Sequence, residues 1–407
     1  MTPIIRITVG CVVVAMVLTG RLAVSASSTE MNHCRFSPVR TDAVDFPSRH
    51  AWNLFLTLMH PAKSSNSSRG QADCSKPIGT PGTTVVWEMW RLARTEVFLP
   101  NGAEPPEWND RSLPTGFQGA VPGQSDSFHG VVLPKSAATN LKKTTTPGSI
   151  QIESLLGGKF KPLFDPEPDN SIFVDRGGIG ETRMNRSTYE FIRENCLFST
   201  EGLDRYAEAV RSGKKPQLSL PSDSIEGKAV WIVLTDAQLS SGVGNTYYTI
   251  KHDGKTYGLN SFHILTKDIP NWFWATFHHK STPKNEFETP DTFGQPRDVT
   301  GTVWENYVLG GTQIDFVSPT GDPTVLSDHF IEFDFQRSSC ITCHAMATTT
   351  TDRNDKDRPR QTLDLGVPNA ATFKRGGKPF YVQTDFLWSM PFRAQSEKQP
   401  PPARCIW

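Results

Sequence analysis

Apolar residues along the first half of the chain recur at helical spacing. Between 48 and 60 they fall on one face of a helix, and Ser48 is placed to cap its N-terminus. The same spacing over 84–97 predicts a second helix, and capping signals at Ser187 and Thr200 predict two more. The first half of the chain is therefore expected to contribute short helices.

The pattern changes to that of strands in the middle of the chain. A continuous apolar run over 229–234 predicts a buried strand, and short apolar runs on either side of Asp253-Gly254 predict a hairpin. Further strands are predicted over 262–265, 272–277 and 330–335. Helices followed by strands indicate an α+β fold, with a β-rich mixed domain and short helices.

The composition is that of a folded protein without a strong charge. The chain has 42 Lys+Arg and 42 Asp+Glu, and 37% of its residues are hydrophobic, among them 10 Trp and 24 Phe. This supply of apolar side chains is sufficient for a core. Because nucleic-acid-binding proteins usually carry a basic excess, we expect no nucleic-acid partner.

The first 26 residues have the organisation of a secretory signal peptide. Arg6 precedes an apolar run over 7–18, and Val24-Ser25-Ala26 forms a small-residue cleavage site. This run is too short for a comfortable membrane span, and no other stretch reaches the roughly 18 apolar residues that a span needs. The mature protein is therefore expected to be periplasmic or secreted, with no transmembrane anchor after signal removal.

Two cysteines and a histidine form a compact motif near the C-terminus. Cys340-Ile341-Thr342-Cys343-His344 is the attachment pattern of a c-type haem. In that chemistry the two thiols add across the vinyl groups of one porphyrin, and the adjacent imidazole ligates the iron. We expect one covalent haem c, bound through Cys340 and Cys343, with His344 as the proximal iron ligand.

Two other uses of a CxxC pair fit the sequence less well. A thioredoxin-like redox pair belongs in a βαβ context, which the surrounding sequence lacks. A structural zinc site requires a second pair of Cys or His ligands, and none is apparent. The histidine that directly follows the second cysteine favours haem attachment over both.

Four further cysteines remain after signal removal, and in an exported protein they favour disulfides. They are Cys34, Cys74, Cys196 and Cys405. One or two disulfides are expected, and Cys405 is expected to hold the C-terminus to a partner that the sequence does not identify.

The face of the haem opposite His344 either takes a second ligand or stays open. Met390 is the leading candidate ligand, because a methionine followed by a proline on a loop is a common way to present a thioether. Core packing explains a methionine in this apolar stretch equally well. The other candidates are the histidines before the motif, of which His263 is the most embedded in apolar sequence: His263, His278, His279 and His329.

Seven short segments are distributed along most of the mature chain and carry a family resemblance. They are 51–55 (AWNLF), 86–90 (VWEMW), 182–185 (TRMN), 224–231 (SIEGKAVW), 270–277 (PNWFWATF), 338–345 (SSCITCHA) and 384–389 (TDFLWS). With these segments the sequence resembles exported bacterial proteins of the cytochrome c family. The resemblance implies haem binding and export, and it implies no particular reaction.

Three parts of the chain are expected: a signal peptide (1–26), a β-rich α+β domain (27–330) and a haem-attachment segment (331–407) packed on the larger domain. The leading hypothesis is a periplasmic monohaem c-type cytochrome that exchanges single electrons with an unknown redox partner protein. The alternatives are a haem-dependent oxidoreductase or peroxidase-like enzyme with an open distal face, and a haem-based ligand sensor. The large upstream domain keeps them open, since it is two to three times a typical domain.

Overall fold

The computed structural model describes residues 40–99, 101–110, 179–252, 254–282 and 285–328, and in the C-terminal part residues 332, 337–349, 355, 357–359, 362 and 364–406. The signal peptide predicted over 1–26, Cys34 and His329 lie outside the described residues. So does the strand predicted over 330–335, apart from Glu332.

Helices occur in three parts of the described chain: at its start, between the first strands, and near its end. The α-helices are α1 (Arg40–Asp45), α2 (Pro47–Leu58), α3 (Arg186–Glu194), α4 (Thr200–Arg211), α5 (Asp236–Ser240), α6 (Cys340–Ala345) and α7 (Ser389–Arg393). Short 3₁₀-helices occupy Asn66–Ser68, Val86–Met89, Val243–Thr246, Arg297–Val299, Val303–Asn306, Ala370–Phe373 and Ala403–Cys405, and Ala93–Val97 forms a π-helical turn.

The strands form one large sheet and two small ones. They are β1 (Arg91–Leu92), β2 (Ile179–Met184), β3 (Ile225–Leu234), β4 (Thr249–His252), β5 (Lys255–Thr266), β6 (Phe273–His279), β7 (Tyr307–Gln313), β8 (Thr348–Thr349), β9 (Lys374–Arg375), β10 (Lys378–Pro379) and β11 (Val382–Gln383). The large sheet is antiparallel in the order β1-β2-β3-β5-β6-β7, with β4 paired to β5. The prediction of an α+β fold is confirmed.

The predicted hairpin is present between β4 and β5. Pairing starts at His252 and Lys255, and Gly254 in the turn has a φ of 72°. Glycine adopts this left-handed conformation without the steric cost that a Cβ would bring, which is why the sequence pattern predicts the turn correctly.

One face of the large sheet is apolar and packs against α2. Its central residues are Ala229, Phe262, Ile264, Ala275 and Phe277, all buried. The ring of Phe277 lies 4.4 Å from that of Phe55 and 5.0 Å from that of Trp52, measured between ring centroids. This aromatic layer forms the middle of the hydrophobic core.

The other face of the large sheet carries polar side chains and is covered by the C-terminal part of the chain. We call this the polar face; its residues are Glu226 and Lys228 of β3, His263 and Leu265 of β5, Trp274 and Thr276 of β6, and Gln313 of β7. Side chains alternate between the two faces of a strand, so these residues share one side. The sheet is therefore buried on both faces.

A disulfide between Cys196 and Cys405 joins the C-terminal end of the chain to the second residue after α3. The expectation that Cys405 ties down the C-terminus is confirmed. Cys74 is exposed and unpaired, whereas Cys196 and Cys405 are fully buried.

Several local predictions are wrong in detail. The helix predicted over 84–97 is a 3₁₀-helix, the strand β1 and a π-helical turn, because Arg91 and Leu92 pair with β2. The cap of α2 is not Ser48, since the helix begins at Pro47 and the Ser48 hydroxyl binds Thr292 instead. Tertiary contacts override the local pattern at both sites.

The same correction applies to two other helix starts. Asn185, not Ser187, caps α3 by accepting a hydrogen bond from the Thr188 amide, and Ser199 caps α4 one residue before the predicted cap Thr200.

Among the described residues, no helix is both long and apolar enough to cross a membrane.

Candidate haem-attachment site

The CxxCH motif folds as the short helix α6, held at its start by β7. The hydroxyl of Ser339 caps α6 and receives a hydrogen bond from Gln313 Nε2 at 2.8 Å. Gln313 Oε1 accepts the Ile341 amide at 3.0 Å. One buried glutamine side chain therefore satisfies two polar groups at the N-terminus of α6 and fixes the helix on the polar face.

Helical geometry brings the three chemical groups of the motif together. Cys340, Cys343 and His344 stand at positions i, i+3 and i+4, which share one face of a helix. The opposite residues, Ile341 and Ala345, are buried in the protein. The packing of α6 thus orients the two thiols and the imidazole to the same side.

The two thiols are unpaired and neutral. Cys340 donates to the backbone oxygen of Leu326 at 3.1 Å, and neither cysteine forms a disulfide. Burial raises the pKa of Cys343 to about 12 and that of Cys340 well above its ordinary value. A thioredoxin-like redox pair depends on a lowered thiol pKa, so these thiols do not resemble one.

His344 is oriented through one ring nitrogen. Its Nδ1 hydrogen-bonds the backbone oxygen of Phe386 at 2.7 Å, which assigns the proton to Nδ1 and leaves Nε2 as the free lone pair. The ring of Trp274 lies 4.7 Å away in an edge contact. Burial, followed by the charge of Lys228, lowers the pKa of His344 to about 3, so the imidazole is neutral.

The residues after Phe386 remain close to α6. Trp388 Nε1 donates to the backbone oxygen of Cys343 at 2.9 Å, and the Ser389 hydroxyl donates to Glu226 at 2.6 Å. Met390 follows directly, in the first turn of α7, and is fully buried as part of the main core cluster. Met390 thus belongs to a segment that is anchored around the Nδ1 side of His344.

Charged and polar groups are buried on the polar face beside α6. Burial lowers the pKa of Lys228 and raises that of Glu332, and each acts electrostatically on the other. Burial also lowers the pKa of His263 to about 4, so that this imidazole too is neutral. A hydroxyl of the same face, on Thr276, donates to Asp328 at 3.2 Å. The site next to the motif is therefore polar and largely shielded from water, although Lys228 and the three motif residues are partly exposed.

The three described candidate histidines differ in their contacts. His279 uses both ring nitrogens, bonding Ser281 and the backbone oxygen of Thr246, and its ring stacks on Tyr247. His278 uses Nδ1 on the His279 backbone; its Nε2 also forms no hydrogen bond among the described residues, but it lies 3.2 Å from the Glu288 carboxylate, at ion-pair distance. His263 Nε2 has no hydrogen-bond partner among the described residues, although the side chain is only 6% exposed.

Among the described residues, no group of three or more His, Cys, Asp or Glu side chains is arranged to hold a metal ion.

The residues that hold α6 in place were not identified from the sequence; Gln313 and Trp274 are the main ones. They are more than 25 residues from the motif, on strands whose polar alternate positions read as solvent-facing. The sequence of β3, IEGKAVWIVL, could have indicated the polar face, because Glu226 and Lys228 alternate with apolar residues in a run that is otherwise typical of a buried strand.

No family model, curated protein or solved structure matches this chain.

Proposed function

We propose that the protein is an exported monohaem c-type cytochrome, related to the cytochrome c family that its sequence resembles, and that it transfers single electrons. The observation that carries the proposal is the face of α6, where two unpaired thiols and a neutral imidazole stand together, and the imidazole Nδ1–H donates to the backbone oxygen of Phe386. A histidine ligand to a metal usually donates its other ring N–H to a carbonyl or carboxylate in this way.

The donor set fits a c-type haem. Cys340 and Cys343 would form the two thioether links, and His344 would bind the iron through Nε2. The unsatisfied Nε2 of buried His263 is a second indication that this region accommodates a polar partner outside the described protein groups. When bound, the haem supplies a centre that takes up and releases one electron without large rearrangement.

The protein side chains set the surroundings of that centre. Trp274 and Phe386 limit the movement of the His344 ring. The Trp274 ring contacts the imidazole and the Phe386 ring, and the Phe386 backbone oxygen accepts the Nδ1 hydrogen bond. The Nδ1 hydrogen bond increases the electron donation of the imidazole. A largely buried, well-packed site favours electron transfer, since few dipoles have to reorient when the charge changes.

The attachment chemistry is tested by changing both cysteines. The mature chain is expressed with a c-type cytochrome maturation system, and Cys340→Ala/Cys343→Ala is compared with the wild type and with Cys74→Ala, which removes an exposed thiol. Wild type and Cys74→Ala should show haem staining after denaturing electrophoresis, and the double variant should show none. A wild-type chain without covalent haem, or staining that survives in the double variant, contradicts the proposal.

Electron transfer is tested on the haem-loaded protein by voltammetry. A reversible one-electron wave and slow reaction with peroxide are expected of a carrier. A high-spin spectrum that shifts on addition of CO, together with peroxide-dependent oxidation of a small reductant, would instead support an enzyme with an open distal face.

One observation favours that second function. Asp328 and Glu332 are buried beside the polar face, and burial raises the pKa of Glu332. A buried carboxylic acid that stays protonated is suited to deliver a proton to a bound substrate. Peroxidase-like chemistry is therefore the alternative proposal, to be kept only if the distal face proves open.

A further inference from the structure

His263 is a buried histidine with an unsatisfied ring nitrogen. It lies in the middle of β5, on the polar face, and its Nε2 has no hydrogen-bond partner among the residues that the structure describes. Leaving a buried polar atom unpaired costs free energy, so such atoms are uncommon in folded proteins. An unpartnered imidazole nitrogen on a buried sheet face is available to a ligand or metal outside the described protein groups.

The register of the sheet brings His263 next to the residues that hold His344. Trp274, which contacts the His344 ring, pairs with Leu265, and Thr276 pairs with His263 one row further along the same face. Neighbouring rows on one face of a sheet are about 7 Å apart. His263 is also one of the groups that act electrostatically on His344. His263 therefore lies one row from Trp274, the residue that contacts His344, and the two imidazoles belong to one site.

The other candidate ligands are less well placed. The segment that carries Met390 is bound to the backbone oxygen of Cys343 and to His344 Nδ1 through Trp388 and Phe386, on the side of the ring away from Nε2. Lys228 neighbours His263 in the register, but its amine interacts with the carboxyl groups of Glu226 and Glu332. The Glu226 carboxylate favours the protonated amine, and an ammonium group has no lone pair for a metal.

We propose that His263 is the second axial ligand, bound through Nε2 on the face of the haem opposite His344. This assignment rests on the proposed haem attachment at Cys340 and Cys343. It replaces Met390, the leading candidate from the sequence, with a histidine and so makes a bis-histidine site, for which a lower reduction potential than that of a His/Met haem is expected.

The assignment is tested by spectroscopy on the haem-loaded mature chain. The oxidised wild type should be low-spin and should lack the weak long-wavelength band of sulfur-to-iron ligation. His263→Ala should become high-spin, and added imidazole should restore the low-spin spectrum. His263→Met should remain low-spin and gain the sulfur band. Imidazole rescue is a response that loss of a merely structural side chain would not produce.

Two matched variants serve as controls. His278→Ala removes another buried histidine of the same sheet face, and Met390→Leu removes the thioether at similar volume; both should keep the wild-type low-spin spectrum. If His263→Ala does not fold, His263→Met decides, because it keeps a ligating side chain: the sulfur band supports the proposal, and its absence overturns it.

The outcomes separate this inference from the proposed function. Covalent haem with a low-spin spectrum that His263→Ala leaves unchanged overturns the ligand assignment alone. A wild-type sulfur band that disappears in Met390→Leu does the same and assigns Met390. A high-spin wild type also overturns it and leaves an open face. A chain that takes up no covalent haem overturns both proposals.

Discussion

Gln313 is the residue whose replacement should most directly loosen the haem-attachment helix. Its side chain is 3% exposed and links β7 to the start of α6: Nε2 donates to Ser339 Oγ at 2.8 Å and to Thr324 Oγ1 at 2.7 Å, and Oε1 accepts from the Ile341 amide at 3.0 Å. Gln313→Leu keeps a comparable volume and removes all of these hydrogen bonds.

The cost follows from the groups left behind. In the leucine variant the buried Ile341 amide loses the partner that it has in the wild type, at about 1–3 kcal/mol. The hydroxyls of Ser339 and Thr324 each lose one hydrogen bond with a net value of about 0.5–1.5 kcal/mol, although Ser339 still caps Thr342. Added apolar burial offsets part of this. We expect a loss of about 2–4 kcal/mol in the free energy of unfolding.

The loss is measured by urea unfolding of the mature chain, followed by tryptophan fluorescence. Gln295→Leu is the matched control, since this glutamine also donates twice through Nε2, to the backbone oxygens of Glu305 and Tyr307, but is exposed to solvent. The control should change stability by less than about 1 kcal/mol. Equal losses of unfolding free energy in the two variants, or no loss in Gln313→Leu, would refute the conclusion that the buried hydrogen bonds of Gln313 stabilise the start of α6.

Two further predictions concern the disulfide and one buried acid. Replacing Cys196 and Cys405 with Ser removes a cross-link that spans 209 residues, for which chain entropy gives about 5 kcal/mol as an upper value. We expect the urea midpoint of this variant to fall, while that of the control Cys74→Ser stays unchanged. Equal midpoints for the two variants would contradict the cross-link. Burial raises the pKa of Glu88 to about 7, so the folded state keeps a proton that the unfolded state loses above about 4.3. The stabilisation from Glu88 is therefore present at acidic pH and lost as the pH rises through 7. Glu88→Gln, which retains acceptors for the Val85 amide and the Tyr248 hydroxyl, should gain about 2–3 kcal/mol relative to wild type between pH 4.5 and 8, and parallel stability curves would exclude the shift.

The sequence predicted those elements whose local pattern and tertiary role agree. The α2 helix and the hairpin at Gly254 have a clear period or turn, and both are present. The segment 84–97 shows where this fails: the apolar residues that suggested one face of a helix, Val86, Met89, Trp90, Ala93 and Val97, are all buried. Their burial was predicted correctly, but pairing of Arg91 and Leu92 with β2 determines the backbone conformation.

The site divides in the same way. Cys340, Cys343 and His344 are adjacent in sequence, so their shared helical face can be predicted from spacing alone. The side chains that orient them come from strands far along the chain, and only the register of β5, β6 and β7 places Trp274 and Gln313 beside the motif. His263 could be named as an embedded histidine but not distinguished from its neighbours, because only the fold shows that its Nε2 has neither a hydrogen bond nor an ion pair among the described residues, whereas His278 Nε2 lies 3.2 Å from Glu288.

The buried polar face also bears on the division of the chain at residues 330 and 331. The C-terminal part contributes Ile341, Leu387 and Met390 to the same hydrophobic cluster as Trp52 and Phe277, and Met346, Ala347 and Trp388 form a smaller cluster of their own. Burying charged and polar groups between these two layers costs stability unless each is paired or put to use. The large sheet is therefore one wall of the proposed haem site rather than a separate module. The properties of a haem attached to α6 should accordingly depend on substitutions in β3, β5 and β6 as much as on those in the motif itself.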